Sequence, residues 1–168
     1  MNIHSLSEKY QVRRIEETDL PALLQLCQSN PLFYEHCPPK PTQETLMADL
    51  QALPPRKTMQ DKYYLGFWDN DRLIAALDLI LRFPNDETAF IGFFMLDRSE
   101  QGKGVASAII QELFAQLRTE FRFVRLGYVQ TNAQSRSFWR KQGFEENGAV
   151  SDTGSYTIVY MNKALQID

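Results

Sequence analysis

A single α/β domain is predicted by three features of the 168-residue sequence. An almost unbroken apolar run, FIGFFML at residues 90–96, suits a strand covered on both faces. A polar loop with two closely spaced glycines, Gly102 and Gly104, comes next. Apolar residues then recur at helical spacing, with Val105, Ile109, Leu113 and Leu117 on one stripe and Ala106, Ile110 and Phe114 beside them. The length is one domain's worth, enough to bury a sizeable core, and no repeat or linker composition divides it.

Taken in order, YQVRRI at residues 10–15 alternates well enough for a first strand. Thr18 is placed to cap a helix with Pro21 in its first turn and Leu20, Leu23, Leu24 and Cys27 on the buried side. Asn30-Pro31 ends that helix, and residues 33–39 read as a rigid loop rich in aromatic and ionisable groups. Thr42 caps a second helix with Leu46, Leu50 and Leu53 along one face, stopped by Pro54-Pro55. Residues 63–68 and 72–81 are β-rich runs around a turn at Asp69-Asn70-Asp71. After the central strand and its helix, residues 123–129 read as a fifth strand. Asn132 caps a short helix over residues 133–142, which Gly143 closes. Residues 143–146 and 155–162 complete the sheet around a hairpin loop at residues 148–154.

Composition narrows the function classes. With 43% apolar and 23% charged residues the chain reads as soluble and globular. A net charge of −3 leaves no basic footprint for nucleic acid. No apolar stretch is long enough to cross a bilayer, and the polar start MNIHSLSEKY lacks a signal peptide's apolar core, so the expected location is cytoplasmic. Cys27 and Cys37, with only His4 and His36 for company, do not make a metal site.

Strand, glycine loop, helix is an arrangement that binds anions, because the first N–H groups of a helix lack partners and the helix dipole is positive there. A tight strand-to-helix turn is the plain alternative. A P-loop is excluded because Val105 follows Gly104, and the dinucleotide fingerprint because Ser107 stands where its third glycine belongs. The register that fits is Gln101-x-x-Gly104-x-Ala106. It resembles the [RQ]-x-x-G-x-[GA] loop of the GNAT superfamily of acetyl-CoA-dependent N-acyltransferases. A second segment, NAQSRSFWRKQGF at residues 132–144, is similar to the family's N-x-x-A-x-x-[FL]-Y-x-x-x-G-F, with Ser135 for Ala and Trp139 for Tyr. The close resemblance spans residues 89–144.

The resemblance implies a GNAT-like domain: a mixed, mostly antiparallel sheet of six to seven strands, splayed after the fourth, with about four helices around it. It implies acetyl-CoA as acyl donor, with the pyrophosphate on Gln101, Gly102, Lys103, Gly104, Val105 and Ala106. The pantetheine arm would lie along the backbone of Phe94, Met95 and Leu96, near Asn132, Ser135 and Trp139. The acceptor would be a primary amine of a small molecule or peptide, attacking the thioester directly. A homodimer is a family tendency. The alternative is a coenzyme A-binding sensor without turnover.

Trp139 is the departure that bears on mechanism. The family's Tyr there commonly protonates the departing thiolate, and an indole N–H is no acid near neutral pH. Either the thiolate leaves unaided, since a thiol's pKa is about 8.5, or another hydroxyl serves, from Tyr128, Tyr156, Tyr160 or Ser135. An alkyl ammonium must also lose a proton. His36, Glu35, Asp78 and Glu87 are the candidates to take it, directly or through water. Asp78, inside an apolar strand, is either a solvent-facing position or a pocket carboxylate. Phe33, Tyr34, Glu35, Tyr64 and Arg82 are the expected acceptor-pocket residues, with core packing the competing role for the aromatic ones.

Overall fold

A computed structural model describes residues 1–166. Seven strands form one sheet: β1 (Gln11–Arg14), β2 (Lys62–Asp69), β3 (Arg72–Leu81), β4 (Thr88–Leu96), β5 (Phe123–Val129), β6 (Glu145–Asp152) and β7 (Thr157–Ala164). Their order across the sheet is β1-β2-β3-β4-β5-β7-β6. Every neighbouring pair is antiparallel except β4 and β5. A parallel pair needs a long crossover, and α4 (Val105–Leu117) supplies it.

Side-chain alternation on the central strands feeds two apolar layers. One face packs Leu65, Phe67, Leu77 and Leu79 against Ile109, Leu113 and Phe114 of α4, and reaches Trp139 of α5 (Ala133–Lys141). The other packs Ala76, Leu73 and Met95 against Leu23 and Leu26 of α1 (Leu20–Gln28) and Leu46 and Leu50 of α3 (Gln43–Gln51). No helix among the described residues is long and apolar enough to cross a membrane.

Two features of β4 break the regularity of the sheet. Its pairing with β5 covers only Thr88↔Phe123 to Ile91↔Leu126, after which β4 stays with β3 and β5 with β7. The sheet therefore opens between the far halves of β4 and β5. Just there the register against β3 shifts, since Asp78 faces Phe93 and Leu79 faces Ile91, leaving Gly92 as a one-residue bulge.

Four local expectations are corrected. Helix α1 begins at Leu20 rather than behind a Thr18 cap. A 3₁₀ turn precedes it, held by Asp19, which accepts from the Glu16 N–H at 2.8 Å and pairs with Arg13 at 2.7 Å. Pro31–His36 is a short helix, α2, not a loop, because Pro31 at its first position has the right φ and no N–H to leave unpaired. Leu53 lies beyond α3 and is exposed. Strand β6 runs on through Gly148 to Asp152, its register shifting between Glu146 and Val150, so the hairpin turn narrows to residues 153–156. The caps at Thr42 and Asn132 form as expected, each accepting an N–H three residues on at 3.1 Å.

Candidate active site

The opening between β4 and β5 continues into a cleft of about 1100 Å³, bounded by the end of β4, the glycine loop, the start of α5 and α2. Gly102 and Gly104 adopt φ of +76° and +78°, the left-handed region that costs a residue with a Cβ about 1–2 kcal/mol. A Cβ built on either would meet no protein atom within 4 Å. The glycines therefore clear room in front of the loop instead of relieving a clash within the protein. Gly104 sits at the N-cap of α4 and no side chain caps the helix. Ala108 is the first residue whose N–H reaches back, to the Gly104 carbonyl at 3.1 Å. The N–H groups of Val105, Ala106 and Ser107 are left without helical partners where these residues line the cleft. The charged side chains that line it, Arg98 and Lys141, are both cations. An open glycine loop, bare N–H groups and a positive helix end fit a pyrophosphate.

The loop is braced from behind. Gln101 Nε2 donates to Asn30 Oδ1 at 2.6 Å and to the Leu96 carbonyl at 3.2 Å, while Asn30 Nδ2 donates to the same carbonyl at 3.0 Å. The Gln101 side chain thus holds the loop to β4 and the end of α1. Lys103 points outward and pairs with Glu100 at 3.7 Å. On the other wall, buried Gln142 joins α5 to α4, donating to Ser107 Oγ at 2.9 Å and accepting from Gln111 at 3.0 Å. Asn30 was read only as a helix stop and Gln142 only as the end of a helix; no local signal marks their bracing roles, whose partners include Leu96 and Ser107, 66 and 35 residues away.

Asn132 is buried and lines the cleft with Ser135 while its side chain caps α5. Trp139 is buried against Phe94, Phe138 and Phe144, with ring centroids 6.0, 4.8 and 5.4 Å away. It serves as wall and packing together.

The remaining side of the cleft is α2. His36 lines it and shares a 2.8 Å hydrogen bond between Nδ1 and Thr131 Oγ1, spanning from α2 to the β5–α5 loop. Phe33 lines it too and meets Tyr34 and Phe93 edge-on at 4.9 and 5.9 Å. Behind Phe93 stand Tyr64 and Asp78. Asp78 Oδ2 pairs with Lys62 Nζ at 3.0 Å, and Lys62 also donates to the Ala52 carbonyl at 2.8 Å. Burial raises the Asp78 carboxyl above its ordinary range, with Lys62 pulling the other way. Burial raises Tyr34 and Tyr64 and pushes the Cys27 thiol up to about 11. Tyr156, in the β6–β7 turn, is pushed up to about 12 by its hydrogen bond with Cys37 and then by burial.

Other expected residues lie elsewhere. Glu87 is exposed at the opposite end of β4, paired with Arg122 at 3.3 Å. Arg82 pairs with Glu120 and lies over the Phe121 ring. Tyr128 donates to Glu146 at 3.2 Å, and Tyr160 packs under Arg125. Glu35 is on α2 but exposed. Among the described residues no cluster of three or more His, Cys, Asp or Glu is placed to hold a metal ion.

A split sheet with an uncapped helix at its mouth is the arrangement that the resemblance in the sequence implied. The model of the acetyltransferase (GNAT) family matches residues 23–144, and the chain belongs to that family. A search of curated proteins finds no match. Among solved structures, an acetyltransferase from Thermus thermophilus superposes with a TM-score of 0.75 at 20% identity, covering 94% of this chain and 97% of that one. A Salmonella typhimurium acetyl transferase that modifies the N-terminal serine of ribosomal protein L7/L12 gives 0.74 at 19%, covering 96% and 98%. An N-acetyltransferase from Thermoplasma acidophilum, in complex with coenzyme A, gives 0.66 at 19%, covering 92% and 98%.

Proposed function

We propose that the protein transfers an acetyl group from acetyl-CoA to a primary amine of a small molecule or peptide. The observation that carries this is the glycine loop: two left-handed glycines with open space before them, three unpartnered N–H groups behind, and a split in the sheet beside it. Loop and helix end would hold the pyrophosphate, and the unpaired edge of β4 from Phe94 to Leu96 the pantetheine arm. A thioester supplies a carbonyl carbon open to attack and a leaving group of low basicity. The amine nitrogen bonds to that carbon, the C–S bond breaks, and the ammonium proton passes to a base.

His36 is the ionisable group best placed for that proton. It lines the cleft, and with Nδ1 donating to Thr131 Oγ1 its Nε2 is the nitrogen left to accept a proton, directly or through a water. Trp139 offers no acid, so the thiolate leaves on its own basicity. A fold neighbour that acts on a protein N-terminus keeps peptide amines among the acceptors. Thermal unfolding with saturating acetyl-CoA, followed by thiol release across a panel of amines, tests the reading. Stabilisation plus release supports it. Stabilisation without release for any amine points to a coenzyme A-binding module. No stabilisation removes the donor assignment.

A further inference from the structure

The outer rim of the cleft carries a second cavity, and what it implies rests on the acetyl-CoA reading. It measures about 410 Å³ and is lined by Ala133, Ser137 and Lys141 together with Arg136 and Arg140. Ala133, Ser137 and Lys141 stand four residues apart along α5 and also line the main cleft, so one stripe of the helix borders both spaces. Gln142 fixes where that stripe ends. Its 2.9 Å bond to Ser107 Oγ holds the C-terminal end of α5 beside the first turn of α4. Lys141, the residue before it, therefore enters the cleft at the wall that would hold the pyrophosphate.

The charges around the second cavity do not balance. Arg136 Nε donates to Glu146 Oε1 at 2.9 Å, and Arg140 Nη2 donates to Glu146 Oε2 at 2.8 Å. One carboxylate thus sets two guanidinium groups side by side, and each bond takes one N–H of the five that a guanidinium carries. Among the described residues no carboxylate lies within ion-pair distance of Lys141. Three cations against one carboxylate leave two positive charges over, in a chain whose net charge is −3. Like charges gathered around one hollow repel unless an anion joins them. Lys103, nearby on the glycine loop, shows the contrast, since Glu100 matches it.

Coenzyme A carries a third phosphate, a monoester on its adenosine ribose, close to the pyrophosphate. Such a group holds about −1.5 to −2 charge at pH 7 and offers three acceptor oxygens. Two surplus positive charges with free N–H donors match it.

We propose that the second cavity is a subsite for the 3′-phosphate of the coenzyme, with Lys141 at its lip and Arg136 and Arg140 behind, and that it selects coenzyme A over the 3′-dephospho form. Glu146 is a positioning residue that holds the two guanidinium groups without touching the ligand.

Calorimetry with coenzyme A and with 3′-dephospho-coenzyme A reads this without turnover. Coenzyme A should bind about tenfold more tightly, the scale of one or two solvent-exposed charge-assisted contacts. In Lys141→Met, coenzyme A should weaken about fivefold while the dephospho form stays within about twofold. Arg140→Gln should narrow the preference about threefold. Both side chains are exposed, so neither change threatens the fold. Arg98→Gln, on the α1 side of the cleft, is the control for net charge and should weaken both forms alike. Equal Kd values in the unmodified protein overturn the proposal. So does equal weakening of both forms in Lys141→Met, which would put Lys141 on the pyrophosphate. A preference that narrows as much in Arg98→Gln overturns it too, because the cleft would then read charge without a subsite. Binding of neither form would instead overturn the donor assignment.

Discussion

At the proposed donor end of the cleft the parts are main chain: two glycines at positive φ, the first N–H groups of α4 and the edge of β4 left unpaired with β5. At the proposed acceptor end they are side chains: Phe33 and His36, the latter bonded to Thr131, on the cleft wall, with Phe93, Tyr64 and the Lys62–Asp78 pair packed behind them. Backbone parts are fixed by the fold and tolerate most sequence changes that keep the glycines. Side-chain parts depend on partners from other elements, so one substitution propagates. A family can therefore keep its donor while changing its acceptor, and the two ends should respond differently to mutation.

The largest contrast should come from Asp78→Ala. Lys62 is 1% exposed and would keep a buried charge without its carboxylate, so destabilisation of about 3–5 kcal/mol is expected in urea unfolding. Adding Lys62→Met should recover much of that loss. Recovery that fails would mean Asp78 has a structural role apart from the pair. Gly104→Ala at the donor end should do the opposite. Left-handed strain costs the fold only about 1–2 kcal/mol. Calorimetry should show acetyl-CoA binding about ten- to a hundredfold weaker, because the methyl occupies space the ligand needs.

Asn30→Ala sits between the two. It removes the brace shared by Gln101, Leu96 and the end of α1, and should weaken acetyl-CoA by about three- to tenfold, the scale of one hydrogen bond. Acid titration sharpens the comparison further. Hydrogen bonds from Arg140 and Arg136 pull the Glu146 carboxyl down to about 2, below its ordinary 4.5. Its stabilising contribution is present above pH 4.5 and lost as pH falls through 2, so Glu146→Gln should flatten that stretch of the acid-unfolding curve. Asp78 has the opposite sign. Its raised pKa makes its contribution complete below the ordinary 3.8 and lost as pH rises through the folded value. The smallest effect belongs to Trp139→Phe, which should leave kcat within about twofold if the thiolate needs no acid.

The same contrast explains what the sequence made legible. The donor loop is local, six residues whose types dictate backbone conformation, so Gln101 to Ala106 stood out before any fold was known. The caps at Thr42 and Asn132 are local too and form as read. Asp78 could be named but not interpreted, because whether it faces solvent or Lys62 is set by strand register and by residues 16 positions away. Helix α2 was hidden by aromatic residues between prolines, a pattern that reads as loop when its packing on Phe93 is unseen. Strand β6 was shortened because Asn147, Gly148, Ser151 and Asp152 read as turn residues, and an edge that buries little leaves no apolar alternation to oppose that reading.

One titration bears most directly on the donor assignment. Acetyl-CoA added to the 15N-labelled protein should shift the amide signals of Val105, Ala106 and Ser107 and those of Phe94 to Leu96, saturating together at one Kd. Shifts confined to α2 and the β6–β7 turn, or none at millimolar acetyl-CoA, would contradict a coenzyme cleft at the glycine loop.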